Sequence, residues 1–161
     1  MLNDWGNFFV GELSAASALA GLLFVAVSVN QARILQLGRM ADRGLEALVM
    51  LLLVVVITSL GLVPGQGLRP LGLEIFVTAA AASAGIFALE RSYLSFIARP
   101  YRRLSTQMAI CNQLSLMTIA LSGLITLFRG INGLYLLPPG ILATFLFSIA
   151  NAWVLLIEIN R

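Results

Sequence analysis

The chain has no lysine and no histidine, a single cysteine, and only seven acidic residues in 161. Each absence removes chemistry. Without lysine there is no Schiff-base site for retinal or pyridoxal phosphate, and without histidine there is no histidine haem ligand and no His-containing zinc site. The lone Cys111 has no disulfide partner and stands in an apolar run, where a thiol serves as a small hydrophobe. Charged residues make up 11% of the chain, against the quarter typical of a soluble domain. Too few charges remain to cover a water-facing surface.

What fills the chain instead is apolar. Hydrophobic residues account for 60% and the mean hydropathy is +0.97, so the solvent for most of this surface is a bilayer. A crossing helix needs about 20 mainly apolar residues, and five such runs are present: about 8–29, 45–63, 71–96, 104–128 and 138–159. They are continuous and rich in Leu and Ala, without the period-two alternation of a membrane barrel. The expected fold class is therefore all-α, a polytopic transmembrane helical bundle forming one domain. A four-helix reading conflicts with the length of the last two runs.

Helix punctuation separates the runs. Gly61, Pro64, Gly65, Gln66, Gly67 and Pro70 make a tight hairpin between the second and third. Pro100 precedes the fourth helix, for which Ser105 or Thr106 are candidate caps. Gly130, Asn132 and Gly133 stop that helix, and Pro138 and Pro139 suit the first turn of the fifth. Residues 134–137 are expected at the membrane interface, with Tyr135 as an anchor.

The arginines orient the bundle. With the amino terminus outside and the carboxyl terminus cytoplasmic, Arg33, Arg39, Arg43, Arg91, Arg99, Arg102, Arg103 and Arg161 fall inside, and only Arg69 and Arg129 outside. This matches the positive-inside rule. Arg33, Arg39, Arg43, Arg99, Arg102 and Arg103 then form a cytoplasmic basic face. The first run has small residues resembling a signal-peptide cleavage site, but no basic residue precedes it, which favours retention as a membrane helix.

Polar residues within apolar runs carry the functional signal. Glu90 lies near the inner end of the third run, where an ionisable group needs a partner or water. It reads either as an ion or proton site or as one half of a salt bridge to an arginine, with Arg91 snorkelling; the salt bridge is the simpler expectation. Asn112, Ser115, Ser122 and Thr126 share one face of the fourth helix, and Thr144, Ser148, Asn151 and Glu158 one face of the fifth. These faces should avoid lipid, as a hydrated pore lining or as a polar helix interface. Gln113, rotated by 100°, serves a second contact. Glu12 and Glu74 stand near helix starts, where the helix dipole favours carboxylates, and are candidates for an acidic outer mouth; Glu46 is placed likewise at the start of the second. Narrow faces of small and polar residues at Ser14, Ser17, Gly21 and Ser28, and at Glu74, Thr78, Ala81, Gly85, Ala88, Ser92 and Ser95, are candidates for close helix packing.

Residues 12–30, Val63-Pro64-Gly65-Gln66 and Asn151-Ala152-Trp153-Val154-Leu155-Leu156 resemble a group of short multi-pass bacterial inner-membrane proteins. The resemblance implies location and helical architecture, and no functional residue is carried over from it. No phosphate-binding loop, nucleophile elbow or metal-ligand cluster is present, so neither an enzyme nor a cofactor is expected. The arginines lack an aromatic platform for nucleic acid. Two functional readings remain: a homo-oligomeric ion channel or small-ion pathway, or a non-catalytic accessory or assembly subunit of a larger membrane complex. The partners expected are the lipid bilayer and either further copies of the chain or other membrane proteins.

Overall fold

A computed structural model describes residues 2–36, 41–95 and 99–159 of the chain. The described elements are α1 (Leu2–Val29), the short α2 (Gln31–Gln36), α3 (Ala41–Gly61), α4 (Leu68–Leu94), α5 (Arg99–Arg129), a 3-10 segment (Gly130–Leu136) and α6 (Leu137–Ile159). There is no strand among the described residues. Four helical stretches among them are long and apolar enough to cross a membrane: Trp5–Val29, Asp42–Gly61, Leu68–Ser92 and Arg102–Val154. The last spans 53 residues and covers most of α5 and of α6, which turn back at the 3-10 segment and pack on each other.

The turns form where backbone chemistry demands them. α3 stops at Gly61, and Gly65 adopts φ +73°, a left-handed conformation that costs glycine little. The chain re-enters a helix at Leu68, with Pro70 inside the first turn, where a missing N–H leaves no hydrogen bond unmade. Pro138 and Pro139 occupy the first turn of α6 in the same way. One expectation needs correction. α5 begins at Arg99, with Pro100 in its first turn, so Ser105 and Thr106 are interior residues and not caps: Ser105 Oγ accepts from Arg43, and Thr106 Oγ1 donates to the Arg102 carbonyl. Within residues 134–137, Leu134 and Leu137 are fully buried while Tyr135 between them stays exposed.

α3 packs against α1, α4 and α6; α5 packs against α4, α6 and the 3-10 segment. At one end of the bundle Trp5 meets Tyr135 edge-on at 5.3 Å between ring centroids, and Phe9 lies over Gly61, where a Cβ would stand 2.8 Å from the ring. Backbones also approach closely where α4 meets α5. A Cβ on Gly72 would stand 2.5 Å from Leu127 N, and one on Gly123 2.5 Å from Phe76 N. The expected stripes do not make such contacts. Ser14, Ser17, Gly21 and Ser28 on α1, and Ala81, Gly85 and Ala88 on α4, are exposed; a Cβ added at Gly21 or Gly85 would meet nothing within 4 Å.

Polarity is distributed inside-out. Leu22, Phe24, Leu146 and Phe128 are exposed, while Arg43, Glu46, Glu90, Asn112 and Asn151 are buried. In water such a surface would aggregate; in lipid it costs nothing, and the polar groups find one another inside. The arrangement is consistent with an integral membrane protein.

Candidate functional site

The buried polar groups collect at the end of the bundle where α3 begins and α4 ends. On α3, Arg43, Glu46, Met50, Leu53 and Ile57 recur at spacings of three and four, which places them on one inward face, and all five are buried. Glu46 is 0% and Glu90 2% exposed. The two carboxyls lie close enough across the α3–α4 interface to act on each other.

α5 supplies both carboxyls with donors. Asn112 Nδ2 donates to Glu46 Oε1, and Gln113 Nε2 donates to Glu90 Oε2 at 2.9 Å. The 100° between adjacent helix residues lets one turn of α5 serve two neighbours at once. Each amide is oriented by its other end. Ser83 Oγ donates to Gln113 Oε1 at 2.6 Å, and Asn151 Nδ2 on α6 reaches Asn112 Oδ1 at 3.4 Å. Arg43 is 4% exposed; its guanidinium donates to Ser105 Oγ at 2.6 Å and to Met108 Sδ at 3.6 Å, and its charge acts on Glu46.

Two oxygens of the pair, Glu46 Oε2 and Glu90 Oε1, are buried and receive no donor from any described residue. This is the most polar point of the described interior. Toward the opposite end it is closed by Met50, Val54, Leu116, Ile119 and Ile141, which are 0% exposed.

The expectation that Glu90 pairs with an arginine, beside a snorkelling Arg91, needs correction in its first half. Glu90 accepts from Gln113 and stands beside Glu46. Arg91, one residue on, turns to the surface, its guanidinium carbon 5.5 Å from the Phe87 ring centroid. Glu46 was not singled out as a site residue by sequence reasoning, because a carboxylate near a helix start is adequately explained by the dipole. Its inward register with Met50 and Ile57 is the signal that identifies it.

The other residues singled out in sequence are distributed as follows. Ser115, Ser122, Thr126, Thr144 and Ser148 are buried on the facing sides of α5 and α6. Most are satisfied locally: Ser115 donates to Asn112 O, Thr126 to Ser122 O and Thr144 to Gly140 O, while Ser122 donates across to Gly133 O at 2.9 Å. Ser148 Oγ has no partner and borders an apolar groove of about 300 Å³ between α1 and α6, lined by Leu19, Leu23, Ala26, Leu51 and Trp153. Glu74 accepts from Gln66 Nε2 in the hairpin. Glu12 lies ten residues into α1, beyond the reach of the helix dipole, because α1 begins at Leu2. Among the described residues no hydrogen bond or ion pair joins Glu12 to Glu74. Arg33, Arg102 and Arg103 are exposed, whereas Arg43 is turned inward. Arg39 and Arg161 lie outside the described residues, as do the side chains of Arg99 and Glu158.

The described residues hold no group of three or more His, Cys, Asp or Glu side chains that could ligate a metal. The chain matches no protein-family model, no curated protein and no solved structure at a significant level.

Proposed function

We propose that the protein is a non-enzymatic bacterial inner-membrane protein that crosses the bilayer five times and moves a small ion along a polar path inside each protomer. Support for the count comes from length. The 53-residue stretch Arg102–Val154 would run about 80 Å as one straight helix, far beyond the ~30 Å hydrocarbon layer, and it is broken by Gly130, with φ +68°. Support for an outside amino terminus and a cytoplasmic carboxyl terminus comes from the arginines. Arg33, Arg43, Arg91, Arg102 and Arg103 gather at one end and Arg69 and Arg129 at the other, as the positive-inside rule requires.

The observation that carries the ion reading is the buried Glu46–Glu90 pair with its donors Asn112 and Gln113. Two carboxyls in the interior of a membrane bundle are costly, and intramembrane ionisable groups of this kind mark ion paths. Because the carboxyls Glu46 and Glu90 and the amide of Asn112 face inward, a pore formed between protomers would be lined by apolar side chains and small residues such as Ser14 and Ser17, without these groups. Self-association, or association with another membrane protein, would therefore use the exposed apolar faces and leave the path within each copy. The apolar layer at Leu116, Ile119 and Ile141 is the gate that must yield for an ion to pass.

Ion flux into liposomes carrying the purified protein tests the proposal. Wild-type protein is expected to conduct, and Glu90→Gln or Asn151→Leu to lower the flux at least about tenfold, a barrier change of about 1.4 kcal/mol, without loss of assembly. An intact, monodisperse wild-type protein that passes no ion, purified together with a stoichiometric foreign subunit, would favour the accessory role instead.

A further inference from the structure

The ion itself can be named from the hydrogen-bond inventory of the site, an inference that rests on the pathway reading above. An ionised carboxylate only accepts hydrogen bonds. Glu46 and Glu90 are two such acceptors, both buried and close enough to act on each other, and two buried acceptors meet without repulsion only when a hydrogen lies between them. Neighbouring side chains do not supply it. Asn112 and Gln113 each engage one oxygen of a different carboxyl, and the two oxygens left over, Glu46 Oε2 and Glu90 Oε1, are buried without a donor.

The charges around the pair lead to the same occupant. From α3 the facing cation is Arg43, and Asp42 stands at the helix start, half-buried. From α4 there is only Glu90, since Arg91 lies out over Phe87. Among the described side chains, α5 presents Ser105, Met108, Asn112 and Gln113, and α6 presents Asn151, all neutral. α1 carries its Glu12 toward the opposite end of the bundle. With no proton the pair would set two negative charges side by side in the interior, and with one proton it carries a single charge. Burial in hydrocarbon disfavours the doubly ionised pair.

A metal cation fits poorly. Hard cations take six or more oxygen ligands, but the amides turn their N–H groups toward the carboxyls, and their oxygens are already engaged by Ser83 and Asn151. The two open carboxyl oxygens are too few to replace a hydration shell and sufficient to hold a hydrogen.

We propose that Glu46 and Glu90 share a single exchangeable proton, and that the ion this protein handles is H⁺. The proton binds by forming an O–H bond at one carboxylate and a hydrogen bond to the other; on release it leaves both ionised, with Arg43 as the neighbouring counter-charge.

Infrared difference spectroscopy of the protein in nanodiscs, stepped in pH, tests this. The expected result is a protonated-carboxyl carbonyl band that appears on acidification, shifts in heavy water, and shifts again when glutamate is isotopically labelled at its side-chain carboxyl. Glu46→Gln and Glu90→Gln should each abolish it, because a glutamine N–H can then donate to the remaining carboxylate; Glu12→Gln and Glu74→Gln should retain it. Sodium or potassium added at fixed pH should leave it unchanged. Absence of such a band from wild-type protein, its survival in either pair variant, or its displacement by sodium would overturn the proposal; the wild-type spectra decide even if a variant fails to fold. Flux is read separately. Conduction of sodium or potassium without the band removes the proton assignment and leaves the pathway, whereas the band without any conduction removes the pathway and leaves the proton site.

Discussion

Replacing Gly123 by alanine should destabilise the bundle through one contact whose geometry sets the magnitude. The added Cβ would stand 2.5 Å from Phe76 N, 2.8 Å from Gly72 O and 2.9 Å from Ile75 Cγ2, whereas a relaxed contact between heavy atoms lies near 3.5 Å or beyond. Two of these three neighbours are backbone atoms of α4, so no rotamer change relieves the overlap, and α4 and α5 must move apart by roughly 1 Å to restore ordinary separations. Overpacking of a tight interface costs about 1–3 kcal/mol, and a backbone clash belongs at the upper end of that range. Gly72→Ala meets the mirror contact, 2.5 Å from Leu127 N, and the same displacement relieves both. The double variant should therefore be less destabilised than the sum of the singles. Gly85→Ala is the control: on the same helix as Gly72, with nothing within 4 Å, it should change stability by no more than about 0.5 kcal/mol. Reversible unfolding in mixed detergent and SDS micelles, followed by circular dichroism, reads all four. Gly123→Ala as stable as Gly85→Ala would refute the reasoning.

Three further outcomes follow from the same geometry. Asn112→Leu removes the donor to Glu46 and the acceptor of Asn151, and should cost about 1.5–3 kcal/mol, as for hydrogen bonds to charged groups, well above the about 0.6 kcal/mol average for interhelical bonds in membranes; Ser115→Ala, which loses only a bond within α5, should cost far less in the same unfolding assay. Phe9→Ala empties a fully buried site over Gly61 and should cost about 3–5 kcal/mol, checked by the same micelle titration. In a Cys111→Ala background, single cysteines at Pro64 and Asn132 should react with an impermeant thiol reagent from one side of the membrane, and at Arg33 and Arg103 from the other. Opposite-side labelling of Pro64 and Asn132 would contradict five crossings.

Much of the fold is legible because lipid and helix geometry leave few choices. A Pro within the first turn at Pro70, Pro138 and Pro139, and Gly at 61 and 65, mark turns through backbone chemistry that neighbours do not alter. Polar residues in apolar runs are equally informative, since Asn112, Ser122 and Asn151 have an unfavourable alternative in hydrocarbon. Small residues carry less information. Gly21 and Gly85 tolerate lipid as well as a neighbouring helix, so their spacing says nothing about which they meet, while the glycines that do join α4 to α5, Gly72 and Gly123, sit singly in their sequences. The site was hardest to read at Glu46. Periodicity gives the face a residue occupies but not the neighbour opposite, and the α3–α4 pairing that brings Glu46 to Glu90 is a tertiary fact. The same holds for the split between Asn112 and Gln113, whose separate directions are fixed by the helix but whose recipients are fixed by packing.

Proton flux in vesicles loaded so sparsely that each active vesicle holds one chain tests most directly whether the ion path is contained within each protomer. Wild-type protein is expected to acidify those vesicles, and Glu46→Gln or Glu90→Gln protein reconstituted at the same density to leave them unchanged. Flux that vanishes at one chain per vesicle and returns only when several copies are present would contradict an internal path, and would locate it between protomers.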